Sequence, residues 1–66
     1  MEIVINGSAH QVADDISLER AVALISNAAT GIAAAVNGEV VRRASWPSTR
    51  LAAGDEVEVL AAVQGG

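Results

Sequence analysis

The spacing of apolar residues changes repeatedly along this chain, and each spacing predicts a different element. In EIVIN, residues 2–6, Ile3 and Ile5 alternate with Glu2 and Val4, as in a strand with one buried face. Asn6-Gly7 follows, the dipeptide favoured at tight hairpin turns. The returning strand is expected over residues 8–13, with Ala9, Gln11 and Ala13 on one face and His10 and Val12 on the other. Next, Leu18, Ala21, Val22, Ile25 and Ala28 or Ala29 recur every three or four positions, the apolar stripe of a helix. Ser17 stands before it as an N-cap, and Glu19 sets a negative charge in the first turn, where it complements the helix dipole. Asn27, Thr30 and Gly31 supply stop signals.

A second Asn-Gly, at Asn37 and Gly38, predicts a hairpin joining Ile32–Val36 to residues 39–42. The alanines of this stretch suit a helix, but it lacks a helical stripe and is too short between its turn signals. Residues 43–54 break the pattern and read as a connecting loop, with room for one helical turn from Ser45 and a turn at Gly54-Asp55. The clearest strand comes last. In EVEVLAAV, Val57, Val59, Ala61 and Val63 fall on one side and Glu56, Glu58, Leu60 and Ala62 on the other. Two strands, a helix, two strands, a loop and a final strand is the β-grasp order. The expected fold is therefore α+β and ubiquitin-like, a mixed sheet of four to five strands wrapped on one main helix. Its last strand should lie beside the first, in parallel, at the middle of the sheet.

Sixty-six residues make one domain, residues 1–66, near the lower size at which a chain folds without staples. There is no cysteine, so disulfides, a thiolate nucleophile and Cys-based zinc sites are excluded, and stability must come from apolar packing. Glu2, Asn6 and Gly7 interrupt the N-terminal apolar run before it can act as a signal peptide. No run approaches the roughly 20 apolar residues of a membrane span. A cytoplasmic location and no membrane association are expected. Net charge is −4, and the arginines, Arg20, Arg42, Arg43 and Arg50, make no run longer than a pair. This argues against nucleic acid and for partners with a basic docking face. Lysine is absent, leaving the N-terminal amine as the sole primary amine.

No catalytic constellation emerges. His10 is the only histidine, there is no Tyr, and no Ser sits in a Gly-rich nucleophile turn. His10 reads as a surface or packing residue. Asp14-Asp15 reads as a turn and capping pair, and no metal site is expected. Trp46, the only aromatic, should cover one end of the core. Arg42 and Arg43 form an exposed basic pair that is either a solvated edge or a docking contact. Leu60 shares a face with Glu56 and Glu58, so it is either incidental or part of a binding surface.

The chain finishes in Gln64-Gly65-Gly66. At roughly 7% glycine usage, a chance Gly-Gly end occurs in about one chain in two hundred. A flexible tail over residues 63–66, leaving directly from a strand, gains roughly 3.3 to 3.6 Å of reach per extended residue and can enter a narrow channel. Without a Cβ, Gly66 lets another backbone or a nucleotide approach closely, which makes its carboxylate the most accessible reactive group.

These features together resemble the ThiS family, sulfur carriers of thiamine biosynthesis. The resemblance covers essentially the whole chain. It rests on Asn37-Gly38 with Val40-Val41, the stretch from Arg43 to Trp46, Leu51 with Gly54-Asp55, the Val57-Glu58-Val59 strand and terminal Gly65-Gly66. Arg42 departs from it, where the family often has proline. The resemblance implies a protein that is a co-substrate rather than an enzyme. A ThiF-like adenylating enzyme uses ATP and Mg²⁺ to convert the Gly66 carboxylate to an acyl-adenylate, and a persulfide sulfur donor then yields a thiocarboxylate. Thiazole synthase, ThiG, receives that sulfur. No cofactor is bound by the carrier itself, Gln64 and Gly65 form the tail, and Leu60, Arg42 and Arg43 are the candidate docking residues. A monomer is expected, since one free copy must visit two enzymes. The absence of Cys and Lys agrees in kind, leaving no thiol to carry sulfur and no internal lysine to accept the activated terminus. Competing readings are a MoaD-like carrier of molybdopterin synthesis or of a cysteine pathway, a ubiquitin-like protein modifier, and an interaction module with an incidental Gly-Gly.

Overall fold

In the computed structural model, which describes residues 1–26 and 31–61, strands β1 (Glu2–Ile5) and β2 (Ser8–Gln11) form the first hairpin. The helix α1 (Leu18–Ala23) follows, then a second hairpin of β3 (Ile32–Val36) and β4 (Glu39–Val41), a 3-10 helix (Arg43–Ser48) and β5 (Glu56–Ala61). The strands form one five-stranded sheet in the order β2-β1-β5-β3-β4. β5 is thus central, parallel to β1 and antiparallel to β3. This is the ubiquitin-like β-grasp arrangement expected from the order of elements.

Both hairpins close through their Asn-Gly pairs. Asn6 and Asn37 sit at φ 51° and 50°, and Gly7 and Gly38 at 83° and 86°. Two successive left-handed residues give the turn whose twist matches that of the flanking strands. Alternation then sorts the side chains. Ile3 and Ile5 on β1, Val57 and Val59 on β5 and Ala34 on β3 face inward, against Leu18, Ala21 and Val22 of α1. Leu51 and Trp46 close the end of this core, and Trp46 is only 2% exposed. Its indole Nε1 donates to the Val41 carbonyl at 2.8 Å, so the one polar atom of the ring is buried with a partner.

Several boundaries differ from the sequence pattern for identifiable reasons. β2 stops at Gln11 instead of residue 13 because β1 starts at Glu2, and the last rung is Val12 N–H to the Met1 carbonyl at 2.8 Å. The helix is capped by Ser17 as expected, its hydroxyl accepting from the Arg20 N–H at 3.2 Å. Regular α-helix ends at Ala23, where Leu24 and Ile25 donate to carbonyls three residues back. That tighter winding carries Ile25 off the apolar stripe and leaves it 40% exposed. Ala28, Ala29, Asn27 and Thr30 lie outside the described residues. β4 ends at Val41, and Arg42 is instead the N-cap of the 3-10 helix, which starts at Arg43 rather than Ser45. The Ser45 carbonyl accepts from the Thr49 hydroxyl at 2.7 Å and the Ser48 hydroxyl at 3.2 Å, so Ser45 sits inside the turn instead of starting it. On β5, Ala61 continues the inward parity of Val57 and Val59 but is exposed. Asp14 and Asp15 occupy a turn in which Asp14 pairs with the N-terminal ammonium at 3.2 Å and Asp15 is left-handed, φ 58°.

Candidate functional site: the outer face of the sheet and the end of β5

β5 is held from both sides by more than ladder hydrogen bonds. At its start, the Asn37 N–H donates to the Glu56 carbonyl at 2.7 Å. The Asn37 side chain accepts from the Glu56 N–H at 3.0 Å and donates to Asp55 Oδ1 at 3.0 Å. The other carboxylate oxygen of Asp55 takes the Ala52 N–H at 2.8 Å, which closes the turn leading into the strand. On the opposite edge the parallel pairing with β1 covers only Val4 with Glu56 and Ile5 with Val57, because β1 then turns away. The last main-chain rung is Asn6 N–H to the Val57 carbonyl at 2.9 Å. One step further, the Asn6 carboxamide does what a peptide group would do. Its Oδ1 accepts from the Val59 N–H at 2.9 Å and its Nδ2 donates to the Val59 carbonyl at 3.1 Å.

The face of the sheet away from α1 carries the second feature. Leu60 lies opposite Ala33, and Val40 opposite Ala35. Leu60 and Val40 are 67% and 79% exposed. Between them the two small alanines of β3 make a low floor, so this face carries a shallow apolar depression with Glu58 and Gly38 at its margin. The alanine-rich run that weakened the strand pattern is what gives the surface its shape. Its flanking charge is acidic, from the exposed Glu56 and Glu58.

The candidate residues distribute as follows. Leu60 is on this outer face. Arg42 is exposed just after β4, and Arg43 places its guanidinium 4.5 Å above the Trp46 ring, an association of cation and aromatic face that ties it to the segment covering the core. Arg43 and Leu60 therefore belong to different parts of the molecule. Gln64, Gly65 and Gly66 lie outside the described residues. Val40 was not singled out by sequence, since Val40 and Val41 are adjacent and a three-residue strand carries no alternation to choose between them. The signal lay in the turn, because a two-residue loop at Asn37-Gly38 puts Glu39 opposite Val36 and hence Val40 opposite Ala35. Among the described residues no three His, Asp or Glu side chains gather as a metal site, and no helix is long and apolar enough to cross a membrane.

A sheet with its last strand in the middle, wrapped on one helix and bearing an open apolar face, defines a ubiquitin-like β-grasp domain. The family model described as "ThiS family" matches residues 2–66. The chain belongs to the ThiS family of small sulfur carriers. It is similar to the crystal structure of a thiamine biosynthesis protein (ThiS) from Geobacter metallireducens, at 32% identity and a TM-score of 0.84, with all of both chains covered. It is also similar to a solution NMR structure of a thiamine biosynthesis protein from the same organism, at 32% identity and a TM-score of 0.73. That match covers all of this chain and 88% of the other. No curated protein sequence matches it.

Proposed function

We propose that the protein carries sulfur for formation of the thiazole ring in thiamine biosynthesis, with Gly66 as the carrying residue. The observation that supports this most directly is the position of β5. The strand that leads into Gln64-Gly65-Gly66 is the central one, tied at Asp55, Glu56 and Val59 by side chains of both hairpins. A terminus attached there has a well-held base. In this reading a ThiF-like enzyme adenylates the Gly66 carboxylate with ATP and Mg²⁺, pyrophosphate leaving. Adenylation is needed because a free carboxylate is a poor electrophile. The terminal sulfur of a persulfide donor then displaces AMP, giving an acyl disulfide with the donor. A thiol outside this chain cleaves that disulfide, leaving as a disulfide with the donor sulfur, and the released thiocarboxylate delivers sulfur to thiazole synthase, ThiG. The protein is a co-substrate that binds no cofactor of its own, works as a monomer in the cytoplasm and meets neither nucleic acid nor membrane.

Docking on both enzymes is assigned to the outer face around Leu60 and Val40, with Arg42 and Arg43 as further contacts. The exposed apolar area supplies affinity, and the flanking Glu56 and Glu58 favour a basic rim on the partner. Intact mass after incubation with a ThiF-type enzyme, ATP and a sulfur donor tests the reading. The expected gain is that of one sulfur replacing one oxygen, and deletion of Gly66 should abolish it without unfolding the domain. High-mass adducts on other proteins would instead mark a protein modifier, and an unchanged mass with a competent enzyme would exclude a carrier.

A further inference from the structure

We infer that Asn6 is a positioning residue for the terminus: its carboxamide substitutes for a missing strand and sets where β5 stops being held on its β1 side. This rests on the carrier reading above. The main-chain ladder between β1 and β5 ends with Asn6 N–H to the Val57 carbonyl, because Asn6 is already the first residue of a left-handed turn. Without the side chain, Val59 would have no partner from that hairpin. With it, both the N–H and the carbonyl of Val59 are bonded, at 2.9 and 3.1 Å, by a residue 53 positions earlier. Beyond Val59, among the described residues, β5 pairs with β3 alone, Leu60 with Ala33 and Ala61 with Ile32. Among the described residues Val59 is thus the last one held from both sides, and Gly66 is no more than about 25 Å of extended chain beyond it. Moving that anchor point back along β5 enlarges the volume the carboxylate explores, and so lowers its effective concentration at a reaction centre once the domain is docked.

The two hairpins supply an internal control. Asn37 has the same turn conformation, and its side chain also binds β5, but at Glu56 and, just before the strand, Asp55, the end remote from Gly66. Glycine suits either left-handed position, so Asn6→Gly and Asn37→Gly each remove a carboxamide while keeping a turn. Asn6→Asp keeps an acceptor for the Val59 N–H and loses the donor to its carbonyl.

Amide hydrogen exchange of the full chain, read by NMR, provides the first arm. In Asn6→Gly the Val59 amide should exchange about tenfold faster, the scale of one or two lost hydrogen bonds, with Val57 little changed. Asn6→Asp should fall between, and Asn37→Gly should leave Val59 as it was. Steady-state adenylation of the same proteins by a ThiF-type enzyme provides the second arm. Asn6→Gly should lose about three- to tenfold in kcat, with KM for the carrier within about twofold, because Leu60 keeps its pairing with Ala33 and Val40 sits on a strand that Asn6 does not touch. Asn37→Gly should match the parent chain. Unaltered Val59 exchange in Asn6→Gly, or faster exchange with unaltered kcat, overturns the inference, as does a rise in KM alone. A parent chain that a competent enzyme does not adenylate defeats the carrier reading and the role in adenylation together, while the exchange arm still decides whether Asn6 holds β5.

Discussion

Ile5 and Val57, partners on adjacent strands, are sealed in the core with Leu18 and Trp46, whereas Leu60 and Val40 stand 67% and 79% exposed on the other face of the same sheet. All four are ordinary strand-forming or aliphatic residues, and nothing in their hydropathy separates them. What separates them is what the fold places opposite. The inner face meets α1 and the 3-10 helix and gives up its hydration, so its side chains carry stability. The outer face meets nothing among the described residues, so its apolar side chains stay open to solvent, where the proposed function uses them for docking. In a chain this small, stability and the proposed docking cannot be given to different domains, and they fall instead to the two faces of one sheet.

That division can be broken most forcefully at Trp46. Replacing it with alanine should cost about 3–5 kcal/mol, since it removes the largest buried side chain and leaves a cavity. For a domain whose whole stability is on the order of 5 kcal/mol, thermal denaturation followed by circular dichroism should show much of the population unfolded at 37 °C. A milder cut on the same face, Ile5→Val, should lower stability by about 1 kcal/mol, measured as a shift in the urea midpoint, and leave adenylation of the folded fraction intact. On the outer face the expected pattern reverses. Leu60→Asp should change the urea midpoint by less than about 1 kcal/mol, yet it should raise KM for the activating enzyme by about tenfold or more, the cost of setting a charge in a desolvated contact. A Leu60→Asp protein that is activated like the parent would remove this face from the interface. Val40→Thr, nearly isosteric and largely exposed, should have the smallest effect, within about 0.5 kcal/mol on stability and a few-fold on KM.

Much of the inner face was legible because the signals behind it are local. Alternation in Glu56–Ala61, the two Asn-Gly pairs and the Ser17 cap each act within a few residues, and each is found where the pattern put it. The 3-10 helix was not legible in this way. Its N-cap residue, Arg42, makes no side-chain capping bond, and its shape follows from the burial of Trp46 and the bond from its indole to Val41. The end of α1 was similarly obscured, since Ile25 fits the helical spacing but the last turn tightens. For the candidate site, Leu60 could be read from parity alone, while Val40 needed the register of a hairpin. The carboxamide of Asn6 was invisible except as a turn former, because its partner, Val59, is 53 residues away.

The central place of β5 also bears on how the protein is made. The strand synthesised last is the one on which both earlier hairpins depend, for β1 and β3 meet only through it. A nascent chain that has not yet released residues 56–61 has two separated ribbons, with Ile5 and Ala34 lacking the neighbours that bury them. The pairings that close the sheet are therefore long-range ones made by β5, the kind that slows folding. A chain cut before β5 would lose Val57 and Val59 from the core and the only strand that joins β1 to β3, and should be digested by protease faster than the parent chain.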